Sequence, residues 1–139
     1  MSGPVAECIF CAIVAGQAPA RVVNEDEHTM AFLDINPITE GHTLVIPKAH
    51  AVDLHDITPD DLAATARSAK TVAGLLTERL GSDGVNLLHA TGVAAWQTVF
   101  HLHIHVLPRV DGDLPFPFPI RGSTADDLDE LHRRIIGPS

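Results

Sequence analysis

The sequence predicts an α+β domain: a five-stranded antiparallel sheet with one long helix and two shorter ones. Two observations carry this. Short apolar stretches at 21–23, 29–33, 42–46, 85–89 and 99–107 have the length and bounding turns of strands. The stretch from Pro59 to Leu80 has apolar residues at helical spacing, and the strands cluster on either side of it.

The elements follow in chain order. Cys8-Ile9-Phe10-Cys11-Ala12-Ile13-Val14 is an apolar run ending at Gly16 and reads as a short helix. Strands 21–23 and 29–33 flank the polar turn 24–27 and form a hairpin. A loop from Asp34 runs to Gly41, and the strand 42–46 is stopped by Pro47. The long helix has Thr58 as N-cap, Pro59 at its first position and Asp61 placed for a capping box. Its inner stripe is Leu62, Ala66, Ala69, Ala73, Leu76 and Leu80, and Gly81 stops it. Strands 85–89 and 99–107 follow, the second ended by Pro108. Residues 111–122, rich in Pro, Gly and Phe, read as an irregular surface loop. A last helix over 124–136 turns Leu128, Leu131 and Ile135 inward. Five strands leave an edge, which dimerisation would cover by extending the sheet.

The 139 residues fit one domain over 1–139, its core about 7–110 and its C-terminal loop and helix 111–139. No apolar run is long enough for a membrane span, and Met1-Ser2-Gly3-Pro4 lacks the basic and apolar regions of a secretory signal. A cytoplasmic location is the expectation. The net charge of −9 argues against a nucleic-acid partner but leaves room for a small phosphate ligand. Two cysteines three apart do not make a disulfide framework.

The compositional oddity is histidine: nine occur, and His101, His103 and His105 alternate with Leu102, Ile104 and Val106. On a strand the three imidazoles share one face, about 7 Å apart, and the aliphatic residues point to a core. Such a row suits a site gripping phosphate from several directions. A solvated face and a metal site are the competing readings, though no carboxylate lies within the strand to join a metal.

The alternating histidines resemble the signature of the histidine triad family. Phe32-Leu33-Asp34-Ile35-Asn36-Pro37 and Gly41-His42-Thr43-Leu44-Val45-Ile46-Pro47-Lys48-Ala49-His50 resemble its central block, and Ile9, Phe10 and Ile13 its opening helix. The resemblance covers about residues 7–110 and is nearest the bacterial purine nucleoside phosphoramidase-like branch. It implies a HIT-like fold, a homodimer, and hydrolysis of nucleoside 5′-phosphoramidates (AMP or GMP conjugates) through a nucleotidyl-histidine. Nucleotidyl transfer, dinucleoside polyphosphate hydrolysis and non-catalytic purine-nucleotide binding are the alternatives.

In that reading His103 is the nucleophile, a role that suits a ring substantially neutral near pH 7. His105 contacts the phosphate and assists the leaving group. Gln97, Thr98 and Asn86 contact the phosphate or leaving group, with Asn86 alternatively a plain strand-edge residue. Asp34 accepts from the ribose hydroxyls or forms the turn before Asn36-Pro37. Ile9, Phe10, Ile13, Phe32 and Ile35 line the base pocket or are ordinary core. His42 is a fourth histidine near the phosphate or a polar strand start. Cys8 and Cys11, with His50 and His101, are the implied ligands of a structural zinc, against a reading of two buried reduced cysteines. His101 then holds the triad strand in place. The pattern departs from the family at Trp96-Gln97-Thr98, where nucleotide-binding members often carry Gly-Gln-Ser. It departs again at Phe116-Pro117-Phe118-Pro119, which has no counterpart.

Overall fold

The computed structural model describes residues 7–115 and 121–138. Helix α1 (Ile9–Val14) leads into strands β1 (Val22–Glu25), β2 (Thr29–Leu33) and β3 (Thr43–Pro47), then the long helix α2 (Pro59–Leu80). Strands β4 (Gly84–His89) and β5 (Ile104–Arg109) follow, separated by a 3₁₀ turn at Val93–Ala95, and α3 (Ala125–Ile136) comes last. The five strands form one antiparallel sheet in the order β1-β2-β3-β5-β4. The expected fold class stands.

Burial follows the period of two. Ala31, Val45 and Val106 face α2 and pack against Ala69, Val72 and Leu76. Met30, Phe32, Leu44 and Ile46 face the other way and pack against Phe10 of α1. Strand β3 is buried along its whole length because both faces are covered.

Helix α2 has the expected ends. Asp61 N–H donates to Thr58 Oγ1 at 3.1 Å, Pro59 opens the helix, and Gly81 ends it in the left-handed conformation at φ 67°. Its buried face differs from the expected stripe: Thr65, Ser68, Ala69, Val72 and Leu76 are buried, whereas Ala66 and Leu80 are exposed. The polar positions are tolerated because their hydroxyls are paired. Thr65 donates to the Asp61 carbonyl at 2.7 Å, and Ser68 pairs with Thr29 at 2.5 Å and Asp26 Oδ2 at 3.2 Å. Asp26 in turn caps the β1–β2 turn by accepting from His28 N and Thr29 N, both at 2.8 Å.

Two further expectations are corrected. Leu128, Leu131 and Ile135 of α3 are exposed, and no residue of that helix is buried. The sheet faces are already taken by α2 and α1. The last strand begins at Ile104, not 99, and Pro108 lies inside it. Pairing with β3 ends at Val106, so Pro108 has only β4 beside it and its missing N–H interrupts no central ladder. The stretch 99–103 is drawn off the ladder by the histidine contacts described below. The expected loop 111–122 lies in part outside the described residues, Phe116-Pro117-Phe118-Pro119 wholly so.

Candidate active site and thiol-imidazole cluster

A cavity of about 820 Å³ opens between α1, the chain entering β1, the end of β2 and the segment 98–105. This is the size range of small-molecule sites. Ile9, Phe10, Ile13, Phe32, Asp34, Ile35, Thr98, His103 and His105 are on its wall, as the sequence reading grouped them. Arg21, Asn36, Leu44 and Val99 join them. Arg21 has no motif of its own, so nothing in the sequence marked it, whereas Asn36 belongs to the family-like block 32–37 without having been singled out. Phe10 lies edge-on to both Phe32 and His103 at 5.3 Å, so the apolar wall runs directly into the imidazoles.

Three expected contact residues, Gln97, Asn86 and His42, are absent from the cavity wall. Gln97 is buried with its amide fully used: Oε1 accepts from Gly92 N at 2.8 Å, and Nε2 donates to the Val52 and Val99 carbonyls at 2.7 and 3.1 Å. It braces the loop and is absent from the cavity wall. Asn86 Oδ1 accepts from Arg109 at 2.8 Å, and Asp113 takes the same guanidinium at 2.9 Å. Asn86 therefore sits in a surface ion network, not on the cavity.

The even row of three imidazoles is also corrected. His103 and His105 have ring centroids 4.8 Å apart, while His101 turns to other partners. The cause is a local hydrogen bond: His103 Nδ1–H donates to the His101 carbonyl at 2.8 Å, which a regular strand does not permit.

The hydrogen-bond partners fix each ring's tautomer, because backbone N–H only donates and C=O only accepts. With Nδ1–H spent on His101, neutral His103 keeps a bare Nε2 lone pair. His42 Nδ1 accepts from Ile38 N–H at 3.1 Å, so its proton is on Nε2. That N–H donates to His105 Nδ1 at 2.8 Å, leaving His105 with its proton on Nε2. Adjacent rings thus present opposite functions, a nucleophilic nitrogen and an N–H donor. Burial pushes His105 down to about 4, reinforced by His103 and His42. Burial also lowers His103, opposed by the His101 carbonyl, and lowers His42, opposed by Asp34. All three are neutral at pH 7.

Asp34 forms the turn that was one of its two expected roles, and it is also on the cavity wall. Its Oδ1 accepts from Asn36 N at 2.8 Å and makes the turn, while its Oδ2 lies 3.5 Å from His42 Nε2.

At the other end of the segment, donor atoms of Cys8, Cys11, His50 and His101 lie within 4.8 Å of one another. His101 Nδ1 is 3.3 Å from Cys8 Sγ, 3.6 Å from Cys11 Sγ and 3.2 Å from His50 Nδ1. Cys8 is the N-cap of α1, accepting from Cys11 N at 3.3 Å, so the helix itself brings the two sulfurs together. His101 Nε2–H donates to the Pro47 carbonyl at 2.8 Å, which leaves Nδ1 bare toward the sulfurs. Burial drives His101 down to about 4. This is the donor set and the outer hydrogen bond of a tetrahedral metal ligand.

Asp34, His42 and His105 also bring donor atoms within 4.8 Å. They fit a metal poorly. A ring bound through Nε2 must carry its proton on Nδ1, and His42 Nδ1 faces the Ile38 N–H instead of an acceptor.

Two residues near the site had no signal in the sequence reading. His89 Nδ1–H donates to the His103 carbonyl at 3.1 Å, and Thr91 Oγ1 lies 2.5 Å from His89 Nε2. A single histidine on a strand and an isolated threonine match no motif, and only the fold brings them to residue 103.

Fold and site together define a class: small α+β domains that present neighbouring histidines, at the start of a central strand, to an apolar cavity. Residues 15–112 match the HIT domain, and the chain belongs to the HIT family. It is 46% identical over 134 residues to an uncharacterised HIT-like protein of Methanocaldococcus jannaschii, covering 94% of this chain and 99% of that one. It is 37% identical to the adenosine 5′-monophosphoramidase of Saccharomyces cerevisiae, covering 98% of this chain and 87% of that one. Among solved structures, a zinc-bound histidine triad protein of Mycobacterium smegmatis superimposes with TM-score 0.77 at 47% identity, covering 84% of each chain.

Proposed function

We propose that this protein hydrolyses nucleoside 5′-phosphoramidates, AMP or GMP joined to an amine, by double displacement at His103. The observation that carries the reading is the pair of opposite tautomers, His103 with a bare Nε2 and His105 with Nε2–H, side by side at the end of an apolar cavity.

The base lies among Ile9, Phe10, Ile13, Phe32 and Ile35, and the ribose hydroxyls donate to Asp34. His103 Nε2 attacks the α-phosphorus as the P–N bond breaks, forming a nucleotidyl-histidine. His105 hydrogen-bonds the leaving nitrogen, and the proton that amine needs passes through it. Water then cleaves the P–N bond to His103 and restores the proton, so one water is consumed and nucleoside 5′-monophosphate and amine are released. Thr98 contacts the phosphate side. The activity named for the yeast relative supports the substrate class.

Cys8, Cys11, His50 and His101 would hold a zinc ion, supported by their donor chemistry and by the zinc-bound relative. With four protein ligands the ion would be structural, fixing α1 to the segment that carries His103. The reading includes a cytoplasmic homodimer: the edge strand β4 exposes Leu87 at 55% and Leu88 at 38%, and a second copy would cover it.

The test is turnover of adenosine 5′-phosphoramidate by wild type and His103→Ala, with folding of both checked. The expected outcome is loss of about three orders of magnitude or more, with a nucleotidyl adduct on the wild-type protein by mass spectrometry. Wild type that binds AMP and turns nothing over would overturn the reading.

A further inference from the structure

His103 is held from both directions along the chain, through its ring to the His101 carbonyl and through its own carbonyl, and only the first hold is internal to the histidine segment. Its own ring binds the His101 carbonyl in front. The carbonyl behind, that of His103 itself, lies just outside the sheet, because Ile104 is the first β5 residue paired with either β3 or β4. A side chain takes the place of the missing ladder partner: His89, the last residue of β4, donates Nδ1–H to that carbonyl at 3.1 Å.

The direction of the whole chain of bonds is fixed by its ends. Leu54 N–H donates to Thr91 Oγ1 at 3.0 Å, so the Thr91 hydroxyl proton is free for His89 Nε2 at 2.5 Å. An Nε2 that accepts forces the ring proton onto Nδ1, where the His103 carbonyl requires it. The pairing of His89 with Ile104, whose side chain packs with the α2 core, puts His89 on the sheet face opposite the cavity. It acts on the nucleophile without touching substrate.

We propose that Thr91 and His89 are positioning residues: Thr91 selects the His89 tautomer, and His89 pins the peptide that follows His103 from behind the sheet. The inference rests on His103 being the nucleophile. Supporting shells of this kind are worth about 10- to 100-fold, and small displacements of a reacting group have effects of that order.

The experiment combines long-range proton–nitrogen NMR of the full chain, labelled with ¹⁵N-histidine, with steady-state kinetics. Wild-type His89 is expected to carry its proton on Nδ1. Thr91→Val, which keeps the shape and removes the hydroxyl, should move that proton toward Nε2 and shift the His103 ring resonances. It should lower kcat about 10-fold or more with KM unchanged, and Thr91→Ser should restore both signals and rate. His89→Asn, whose amide N–H can replace Nδ1–H, should retain more kcat than His89→Phe. A wild-type His89 protonated on Nε2, or Thr91→Val with unchanged kcat and unchanged His103 resonances, would overturn the proposal. If wild type turns over no phosphoramidate, the functional reading fails separately. The pair is then judged by whether Thr91→Val moves the His103 resonances, and no movement sinks it.

Discussion

The segment 101–105 joins two histidine clusters of nearly equal burial that are built for different chemistry. At one end His101 meets two thiols and a second imidazole; at the other His105 meets His42 and Asp34. Both sets bring their donor atoms within 4.8 Å. What separates them is the partner of the nitrogen that faces away. His101 turns its far nitrogen to the Pro47 carbonyl, an acceptor, and so offers a lone pair to the cluster. His42 turns its far nitrogen to the Ile38 N–H, a donor, and so offers a proton. A backbone atom at the rear of each ring decides whether its front offers a lone pair or a proton. His103 lies between them, on the cavity wall, and its Nε2 keeps a lone pair because the His101 carbonyl takes its Nδ1–H.

The sharpest way to break this contrast is to remove one ring from each end. His105→Ala should lower kcat by about 10²–10⁴-fold, the range for a lost proton-transfer group, while the melting temperature stays near wild type. His101→Ala should instead destabilise the fold, because it leaves the Pro47 carbonyl buried without a donor and opens the thiol cluster. Kinetics and thermal melts on the two variants would show it. Equal losses of Tm in both would mean the two ends are one structural network.

Metal stoichiometry is the next test. Native mass spectrometry or elemental analysis of the zinc-loaded protein should give one ion per chain, abolished by Cys11→Ala and untouched by His42→Ala. Removal by a chelator should lower Tm by about 5 °C or more. Two ions per chain would put a metal on Asp34, His42 and His105, against the donor placed behind His42.

Sequence alone carried much of this. Helix α2 was legible to the residue because its ends depend on local chemistry, the Thr58 cap, Pro59 and Gly81. The thiols and His50 could be grouped with His101 through family resemblance, and the cavity wall followed from the same blocks. Three things were not legible, and each depends on which group a polar side chain pairs with, near or far along the chain. The strand start moved from 99 to 104 because His103 binds its own chain two residues back. The buried face of α2 turned toward Thr65 and Ser68 because Asp26 and Thr29, across the domain, pair with Ser68. Asn86 and Gln97 left the expected site because Arg109 and the loop carbonyls claim them. Polar side chains show their type in a sequence but not which buried group they satisfy.

The pH dependence of turnover sharpens the proton-type end. An ordinary histidine titrates near 6.5, and burial lowers His103 below this and His105 to about 4. A lowered imidazole stays neutral as the solution becomes acidic, so His103, the proposed nucleophile, keeps its lone pair. kcat/KM should therefore remain level as pH falls through about 6.5 and decline only below it. Stability has the same sign. The unfolded chain takes up protons below about 6.5 that the folded rings refuse, so stability present above that pH is lost progressively as pH falls toward 4. An acid limb at or above 6.5 in kcat/KM, measured where the fold is intact, would contradict the buried neutral pair.

The smallest expected effect probes the loop that sets His42. Gly41 sits at φ +87°, a conformation side chains rarely adopt, and a Cβ there would press on Leu80 Cδ1 with Pro108 Cγ 3.3 Å away. Its neighbours tie the loop down: His42 N donates to the Thr39 carbonyl at 3.1 Å, and Asp34 N donates to the His42 carbonyl at 3.0 Å. Gly41→Ala should therefore cost about 1–2 kcal/mol of stability, as strain more than as lost contact. Because the strain is adjacent to His42, which reaches His105 at 2.8 Å, it should also lower kcat by a few-fold, about what a weakened hydrogen bond allows. Metal content should not change, since Gly41 touches none of Cys8, Cys11, His50 or His101. Urea melts, kcat and bound zinc measured on the one variant separate the two ends: a fall in zinc with kcat intact would show that the loop supports the thiol cluster and not the proton pair.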